Sequence, residues 1–408
     1  MQPGPSAATK PVRGALRVLA WLSAALFGAV APVTAQSPPP IPARDLHETT
    51  DHVAVAVQDL RGRSEVSRIP ITWYRPPGAG PFPLAVVSHG RDAPEQRRRM
   101  GRARFETLAR YLVAKGFAVA VPTRVGYGET FGDFDPENTG GCAVMRVDAV
   151  ADAAAEQVLA AVEHARTLPW VDTSRWIAVG QSVGGLATLA AAARAPAGLV
   201  AAINFSGGAG GNPHFRPGNP CSPQQIERLW RSRGGLATAP TLWVYWRNDR
   251  YWGAEWPQRW LRAWTDAGGQ ARLLHLPEVG TDGHVGLSRD MDRWVPLVDA
   301  WLAPLGFGRP GMPPRPPASG FAPLADIERV PLPATTRESY YRRFLAAERP
   351  RAFAIGPHGQ LGWASGDWAV GRALGYCQRA RGERCTLYAV DDDVVWGGTQ
   401  PGGDRAAE

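Results

Sequence analysis

The stretch IAVGQSVGG, residues 177–185, decides the fold of this chain. An apolar run ends at Gly180, Ser182 follows two places later between glycines, and an Ala-rich run at residues 183–196 then continues at helical spacing. A strand, a sharp turn that carries a serine and a following helix are the setting of a nucleophile elbow. Gly-x-Ser-x-Gly alone often occurs by chance, so the strand and helix on its two sides give it weight. The stretch predicts that Ser182 is a nucleophile at the end of a buried strand.

The sequence around this stretch alternates between strand-like and helix-like patterns. Short apolar runs typical of buried strands lie at 82–90, 117–124, 175–182, 199–208, 239–249 and 271–277, and helical spacing separates several of them, as at 103–116 and 147–168. Continuous apolar strands that alternate with helices predict an α/β fold with a mostly parallel sheet covered on both faces. The run before Pro83 predicts an antiparallel pair at the edge of this sheet.

Two residues further along the chain complete a serine triad with Ser182. Asp249 follows the strand at 241–246, and His284 follows the strand at 271–276, so both belong at the carboxyl edge of the sheet. Taken alone, Asp249 reads equally well as a helix cap and His284 as a surface-loop histidine. Asp282 is a rival carboxylate, but it is too close in sequence to His284 to orient it comfortably. The order Ser, Asp, His at strand ends favours Ser182, Asp249 and His284 as the triad.

An oxyanion hole is the fourth part that such a site needs. One donor is expected to be the backbone N–H of Val183, directly after the nucleophile. The run VVSHGR, residues 86–91, offers the other, because a tight turn at Gly90 would turn the N–H of Arg91 toward the site. His89 is expected to be structural, since Ser182 already has His284 as its base.

Three further side chains follow predicted strand ends and are weaker candidates for substrate contact. They are Arg124, Tyr127 and Trp252. Arg124 together with Arg91 could hold an acidic group by paired hydrogen bonds. Solvent-facing arginines and packing aromatics are an equally good interpretation of the same residues.

These motifs together resemble the α/β-hydrolase superfamily, and within it the dienelactone-hydrolase-like and secreted serine esterase branch. The resemblance spans about residues 50–305 and rests on His89-Gly90, PTRVGYGET at 122–130, GQSVGG at 180–185, RND at 247–249 and GHVG at 283–286. It implies the α/β-hydrolase fold, the triad and the two oxyanion donors named above, with no metal and no organic cofactor. Dienelactone hydrolases often carry a cysteine nucleophile, so the serine here favours ordinary ester hydrolysis.

The N-terminus predicts export. Lys10, Arg13 and Arg17 precede an apolar run at 18–31 and a small-residue cleavage site at 33–35, which together indicate a signal peptide over residues 1–35. An uncleaved membrane anchor is the alternative, although the run is short for a span and Pro32 interrupts it.

Cleavage would remove three positive charges and lower the formal charge from +8 to +5. Without a concentrated basic face, a nucleic-acid role is not expected.

The remaining sequence divides into a catalytic domain at 36–305, a linker rich in proline at 306–320 and a small accessory α+β domain with its tail at 321–408. The four cysteines of an exported chain predict disulfides. They fall two and two across the linker, so Cys142 with Cys221 and Cys377 with Cys385 is the simplest of three pairings. The sequence contains no Cys-x-x-Cys pattern, so a zinc site is not expected.

The sequence therefore predicts an exported, periplasmic or secreted serine hydrolase acting on a small-molecule ester, without a membrane span after signal cleavage. An acyltransferase or amidase with the same triad is one alternative. A hydrolase fold that only binds a ligand is another. The sequence leaves the acyl group, the alcohol and the oligomeric state open.

Overall fold

A computed structural model describes residues 42–312, 315–379 and 381–397. The predicted signal peptide, residues 1–35, lies outside the described residues. The described residues group into one compact unit, which contains both a large sheet and a small one.

Within the described residues, twelve strands and eleven α-helices make up the two sheets and their covering layers. The strands are β1 (Thr49–Gln58), β2 (Ser64–Tyr74), β3 (Phe82–Ser88), β4 (Ala118–Pro122), β5 (Val171–Gln181), β6 (Leu199–Phe205), β7 (Thr241–Trp246), β8 (Ala271–Leu276), β9 (Arg351–Ile355), β10 (Leu361–Ser365), β11 (Thr386–Val390) and β12 (Asp393–Val394). The helices are α1 (Pro94–Arg99), α2 (Glu106–Ala114), α3 (Val147–Ala165), α4 (Val183–Ala192), α5 (Pro223–Arg233), α6 (Trp256–Asp266), α7 (Gly286–Arg289), α8 (Met291–Leu302), α9 (Ala334–Thr336), α10 (Arg342–Ala346) and α11 (Ala369–Gln378).

The large sheet has the order β1-β2-β4-β3-β5-β6-β7-β8. β1 and β2 pair antiparallel at one edge, and β2 joins β4 antiparallel. All pairings from β4 through β3 to β8 are parallel, as the continuous apolar runs predicted. This eight-stranded sheet with helices on both faces is the α/β-hydrolase fold, so the predicted fold class is confirmed.

The strands bury side chains on both faces because each face carries its own helix layer. In β5, Trp176 and Ala178 face one core, which α3, α4, α5 and α6 cover. Ile177 and Val179, one position out of phase, face the second core against α2 and α8. The alternation explains why β5 is apolar at consecutive positions and cannot be an edge strand.

The C-terminal domain is a four-stranded antiparallel sheet of order β10-β9-β11-β12. β9 and β10 form a hairpin, and α11 and β11 complete the α+β unit that the sequence predicts. Both predicted disulfides are confirmed: Cys142 is joined to Cys221, and Cys377 at the end of α11 is joined to Cys385 just before β11.

The linker predicted at 306–320 differs from expectation, because its first part packs on the large domain. Phe307 is buried beside Phe117, and Gly311 lies so close to Tyr111 that a Cβ there would meet its ring at 2.1 Å. The N–H of Gly311 also donates to Asp299. A proline-rich composition therefore did not keep Phe307 and Gly311 away from the core.

Candidate active site

Ser182 occupies a strained turn between β5 and α4. It has φ 56° and ψ −123°, a conformation that costs a non-glycine residue energy and persists only where the surroundings impose it. Its N–H donates to Phe205 O at 3.0 Å, and its own carbonyl accepts from the N–H of Gly208 at 3.1 Å. The end of the neighbouring strand β6 therefore holds the turn, and Ser182 stands at the carboxyl edge of the parallel strands.

The flanking glycines are required by close packing. A Cβ at Gly180 would lie 2.0 Å from the carbonyl oxygen of Gly184, and a Cβ at Gly184 would lie 2.0 Å from the carbonyl oxygen of Ser88. Any larger residue would push α4 away from β3 and β5. The Gly-x-Ser-x-Gly spacing thus follows from how tightly the helix start is pressed onto the two strands.

Asp249 faces the imidazole of His284. Nδ1 of His284 lies 3.1 and 3.2 Å from the two carboxylate oxygens of Asp249, and both side chains are buried. A carboxylate accepts only, so Nδ1 carries the proton and Nε2 is left as an acceptor. Asp249 also accepts from the N–H groups of Tyr251 and Trp252 at 2.8 and 3.2 Å, which fixes its orientation.

The loop that carries His284 is tied to the strand that carries the serine. Gln181 directly precedes Ser182 in sequence, and its side-chain amide donates to the carbonyl of His284 at 2.9 Å. Asp282, the rival carboxylate, instead accepts from the backbone N–H groups of His284 and Arg250, both at 3.0 Å. Asp249 is thus the carboxylate that contacts the imidazole ring, whereas Asp282 binds backbone N–H groups.

Two aromatic rings surround the imidazole. Tyr251 stacks on His284 with ring centroids 3.8 Å apart and planes 22° apart, and Trp252 meets it nearly edge-on at 5.6 Å. Burial raises the pKa of Tyr251, helped by Asp282, Asp92 and Asp249, so its phenol stays neutral. Sequence reasoning missed Tyr251. Its position two residues after Asp249 was the available signal.

The turn after β3 lies against the serine. A Cβ at Gly90 would lie 3.3 Å from Cβ of Ser182 and 3.8 Å from its Oγ, so only glycine leaves this space open. Within the described residues, the backbone N–H groups of Arg91 and Val183 make no hydrogen bond with the protein. Both predicted oxyanion donors are therefore free, on the two segments that border Ser182.

The predicted substrate-contact residues are all buried. Arg124 and Tyr127 have no exposed surface, and both bind the buried carboxylate of Glu137. Trp252 is 1% exposed and donates from its indole N–H to the carbonyl of Ser206. The three side chains are thus buried and bonded to other protein groups, which favours a structural role over direct contact with substrate. The pairing of Arg91 with Arg124 around an acidic ligand is also unsupported, because each guanidinium already has a carboxylate partner.

Among the described residues, no group of three or more His, Cys, Asp or Glu side chains is placed to hold a metal ion. No helix in the same part of the chain is long and apolar enough to cross a membrane.

Comparisons with known proteins find similarity at the level of solved structures. A Pyrococcus horikoshii acylaminoacyl peptidase has 15% identity and a TM-score of 0.42 over 62% of this chain and 41% of that chain. A Klebsiella pneumoniae protein described as a dienelactone hydrolase has 19% identity and a TM-score of 0.42 over 64% and 98%. A Pyrococcus furiosus esterase has 12% identity and a TM-score of 0.41 over 63% and 93%.

The chain thus spans about two fifths of the length of the peptidase. No protein-family model matches the sequence, and no curated protein does. At such low identities and TM-scores, the solved structures support no inference about substrate or activity. The α/β-hydrolase fold is assigned here from the sheet order of this chain and the strained serine turn.

Proposed function

We propose that this protein is an exported serine hydrolase that cleaves a carboxylic ester through an acyl-enzyme on Ser182. The observation that carries the proposal is the buried, aligned Asp249–His284 pair, with His284 on a loop bonded to Gln181, the residue before the strained Ser182. A serine hydroxyl needs an adjacent base to become a nucleophile, and a base needs a third group to orient it.

The reaction begins when Oγ of Ser182 attacks the ester carbonyl carbon. The serine proton moves to Nε2 of His284, while Asp249 holds the Nδ1–H and stabilises the imidazolium that forms. The C–O bond to the alcohol then breaks, and His284 returns the proton to the departing alkoxide oxygen. Water, deprotonated by the same imidazole, attacks the acyl-enzyme and releases the acid, which restores Ser182.

Negative charge develops on the former carbonyl oxygen in both tetrahedral intermediates. The unpaired N–H groups of Arg91 and Val183 would receive it, at a turn where Gly90 leaves room beside Ser182. Donors held in place before the reaction stabilise the transition state without reorganising, which is commonly the largest contribution to such catalysis.

Labelling with a fluorophosphonate probe tests this assignment. We expect one adduct on Ser182, located by peptide mass spectrometry, and none in Ser182→Ala. Ser206→Ala is a matched control, because Ser206 is also a buried serine at a strand end with positive φ, 46°. Absence of labelling in the folded wild-type protein would favour a hydrolase fold that only binds its ligand.

Kinetics on a soluble ester tests the other two members of the triad. Asp249→Asn and His284→Ala should each lower kcat by roughly 10³-fold or more, because the three residues act as a unit. Asp282→Asn keeps an oxygen that can accept from the backbone and should cost less than about tenfold. A large loss in Asp282→Asn with activity retained in Asp249→Asn would reverse the roles of the two carboxyl groups.

Export rests on the predicted signal peptide and agrees with two disulfides, which persist in oxidising compartments. N-terminal sequencing of the mature protein from its native host tests it, and we expect cleavage after Ala35. A chain that retains Lys10, Arg13 and Arg17 would favour the membrane anchor.

A further inference from the structure

The N–H of Arg91 shares a peptide plane with the carbonyl of Gly90, and the two groups point in opposite directions. Whatever binds the Gly90 carbonyl therefore aims the Arg91 N–H. His89 does so, since its Nδ1 lies 2.7 Å from that oxygen. Its Nε2 accepts from the backbone N–H of Arg124 at 3.0 Å, which leaves the proton on Nδ1. His89 is thus a neutral donor with a fixed tautomer.

The guanidinium of Arg124 binds the same turn from below. Its Nη1 donates to the carbonyl of His89 at 2.6 Å and to Oγ of Ser88 at 2.9 Å, and its Nη2 lies 3.4 Å from the carbonyl of Gly90. Two successive carbonyls of the turn are therefore held by one rigid, planar cation. Because a guanidinium has a fixed fork geometry, a shift of Arg124 would move both carbonyls together.

Glu137 is the counter-ion that keeps Arg124 in this place. Both side chains are fully buried, and the carboxylate binds Nε and Nη2 of the guanidinium. The hydroxyl of Tyr127 donates to the carboxylate at 2.7 Å, and Arg91 approaches it to 3.7 Å. Removing the partner of a buried charge leaves that charge uncompensated, which is strongly unfavourable. Glu137 is therefore needed for Arg124 to remain beneath the turn.

The charge states of the network favour this arrangement across neutral pH. Burial alone would raise the pKa of Glu137, but the charge and hydrogen bonds of Arg124, with the charge of Arg91, lower it to about 2. Burial, then the charge of Arg124, lowers the pKa of His89 to about 3. At neutral pH the carboxylate is therefore ionised and the imidazole is neutral.

Glu137 comes from a loop that is itself anchored. The loop lies between β4 and α3, and five residues after Glu137 the Cys142–Cys221 disulfide joins it to the segment after β6. The N–H of Arg146 also closes the loop onto the carbonyl of Thr139 at 2.8 Å. The disulfide and this hydrogen bond therefore anchor the loop that positions the Glu137 carboxylate beside Arg124.

We propose that Glu137 is a positioning residue for the oxyanion turn, acting through Arg124 and His89 to aim the Arg91 N–H at the developing charge. This proposal rests on the proposed hydrolase function. It assigns Glu137 no contact with substrate, so it predicts an effect on the transition state and little effect on ground-state binding.

The test compares Glu137→Gln with the wild-type protein on 4-nitrophenyl butyrate. We expect kcat to fall roughly 10- to 100-fold while KM changes less than about threefold, because a small misplacement of an oxyanion donor is costly. The affinity for a trifluoromethyl ketone, which forms a tetrahedral adduct with serine, should fall by about the same factor as kcat/KM.

Asp299→Asn is the matched control, since Asp299 is the ion-pair partner of the buried Lys115 and, within the described residues, shares no contact with the Glu137 network. It should lower the thermal midpoint by a similar amount but leave kcat within about twofold. If Glu137→Gln does not fold, as judged by circular dichroism, Tyr127→Phe replaces it, with an expected loss in kcat of roughly three- to tenfold.

A folded Glu137→Gln protein with kcat within twofold of wild type would overturn the positioning role, and so would a change confined to KM. An unchanged kcat in Tyr127→Phe, where that variant is the one measured, would do the same. Failure of the wild-type protein to react with the fluorophosphonate would instead overturn the proposed function itself, so the two failures are distinguishable.

Discussion

Replacing Trp368 with alanine should destabilise the large domain, although Trp368 belongs to the small one. Trp368 is 3% exposed and packs in the core cluster formed by α2, α8 and one face of the large sheet. Beside it, the carboxylate of Asp367 accepts from the N–H groups of Met291 and Asp292 at 2.8 and 2.9 Å, at the start of α8. The small domain therefore supplies both a core side chain and a helix cap.

The magnitude follows from the burial. Truncating a fully buried tryptophan to alanine costs about 3–5 kcal/mol, from lost transfer free energy and from the cavity that remains. For a domain of this size each kcal/mol lowers the midpoint by about 2–4 °C, so Trp368→Ala should lower the thermal midpoint of the large domain on the order of 10 °C. Two independent domains would instead confine the change to the small domain.

Hydrogen–deuterium exchange reports on the large domain without relying on activity. Amides of α8 (Met291–Leu302) should exchange faster in Trp368→Ala, and calorimetry should show the lowered midpoint. Trp396→Ala is the matched control, because Trp396 is buried only in the cluster of the small domain, beside Tyr388. If the two variants leave α8 equally protected, the docking of Trp368 does not stabilise the large domain and the reasoning is wrong.

Three further outcomes are expected. Replacing both Cys142 and Cys221 with alanine should lower kcat, because Glu137 loses its anchor, whereas removing the disulfide in the small domain should leave kcat within about twofold; steady-state kinetics decides. The pKa of Glu137 in the folded state, about 2, is below its ordinary value of 4.5, so its contribution to the free energy of unfolding is present above pH 4.5 and lost as the pH falls toward 2. Glu137→Gln should accordingly flatten the acid limb of stability measured by urea titration. Tyr251→Phe keeps the ring stacked on the imidazole and should preserve kcat, while Tyr251→Ala should lower it roughly tenfold, a difference that would vanish if stacking played no part.

The residues that sequence reasoning predicted well are those whose signal is local. The central strands of the large sheet, such as β4 and β7, are buried on both faces and so appear as continuous apolar runs, and β5 with α4 frames Ser182. Asp249 and His284 each follow such a run, and parallel strands bring their carboxyl ends to one edge. The structure places these two side chains together, while their catalytic role stays a prediction.

The residues that sequence reasoning missed or misplaced owe their position to partners far away in the chain. Arg124 follows β4 at the same edge and was therefore expected near substrate, but Glu137, in an irregular loop, draws its guanidinium beneath the turn. Tyr251 stands two residues after Asp249, but the sequence does not show that its ring stacks on His284, which a loop 33 residues later places. A buried network of charges leaves no periodicity by which a sequence can reveal it.

The same limit applies to the linker and the small domain. Proline restricts backbone conformation, so the run rich in proline favoured a segment without helix or strand, and its described residues, 306–312 and 315–320, contain neither. The proline content could not predict the hydrogen bonds between the elements on the two sides of the segment. The N–H of Trp368, at the start of α11, donates to Asp292 at 2.8 Å, while Asp367 accepts from the N–H of Met291, so a carboxylate near the start of each helix binds a backbone N–H at the start of the other. Such reciprocal capping removes unpaired N–H groups at two helix starts at once. α8 begins seven residues after His284. The small domain therefore bonds to a helix close in sequence to the loop that carries His284.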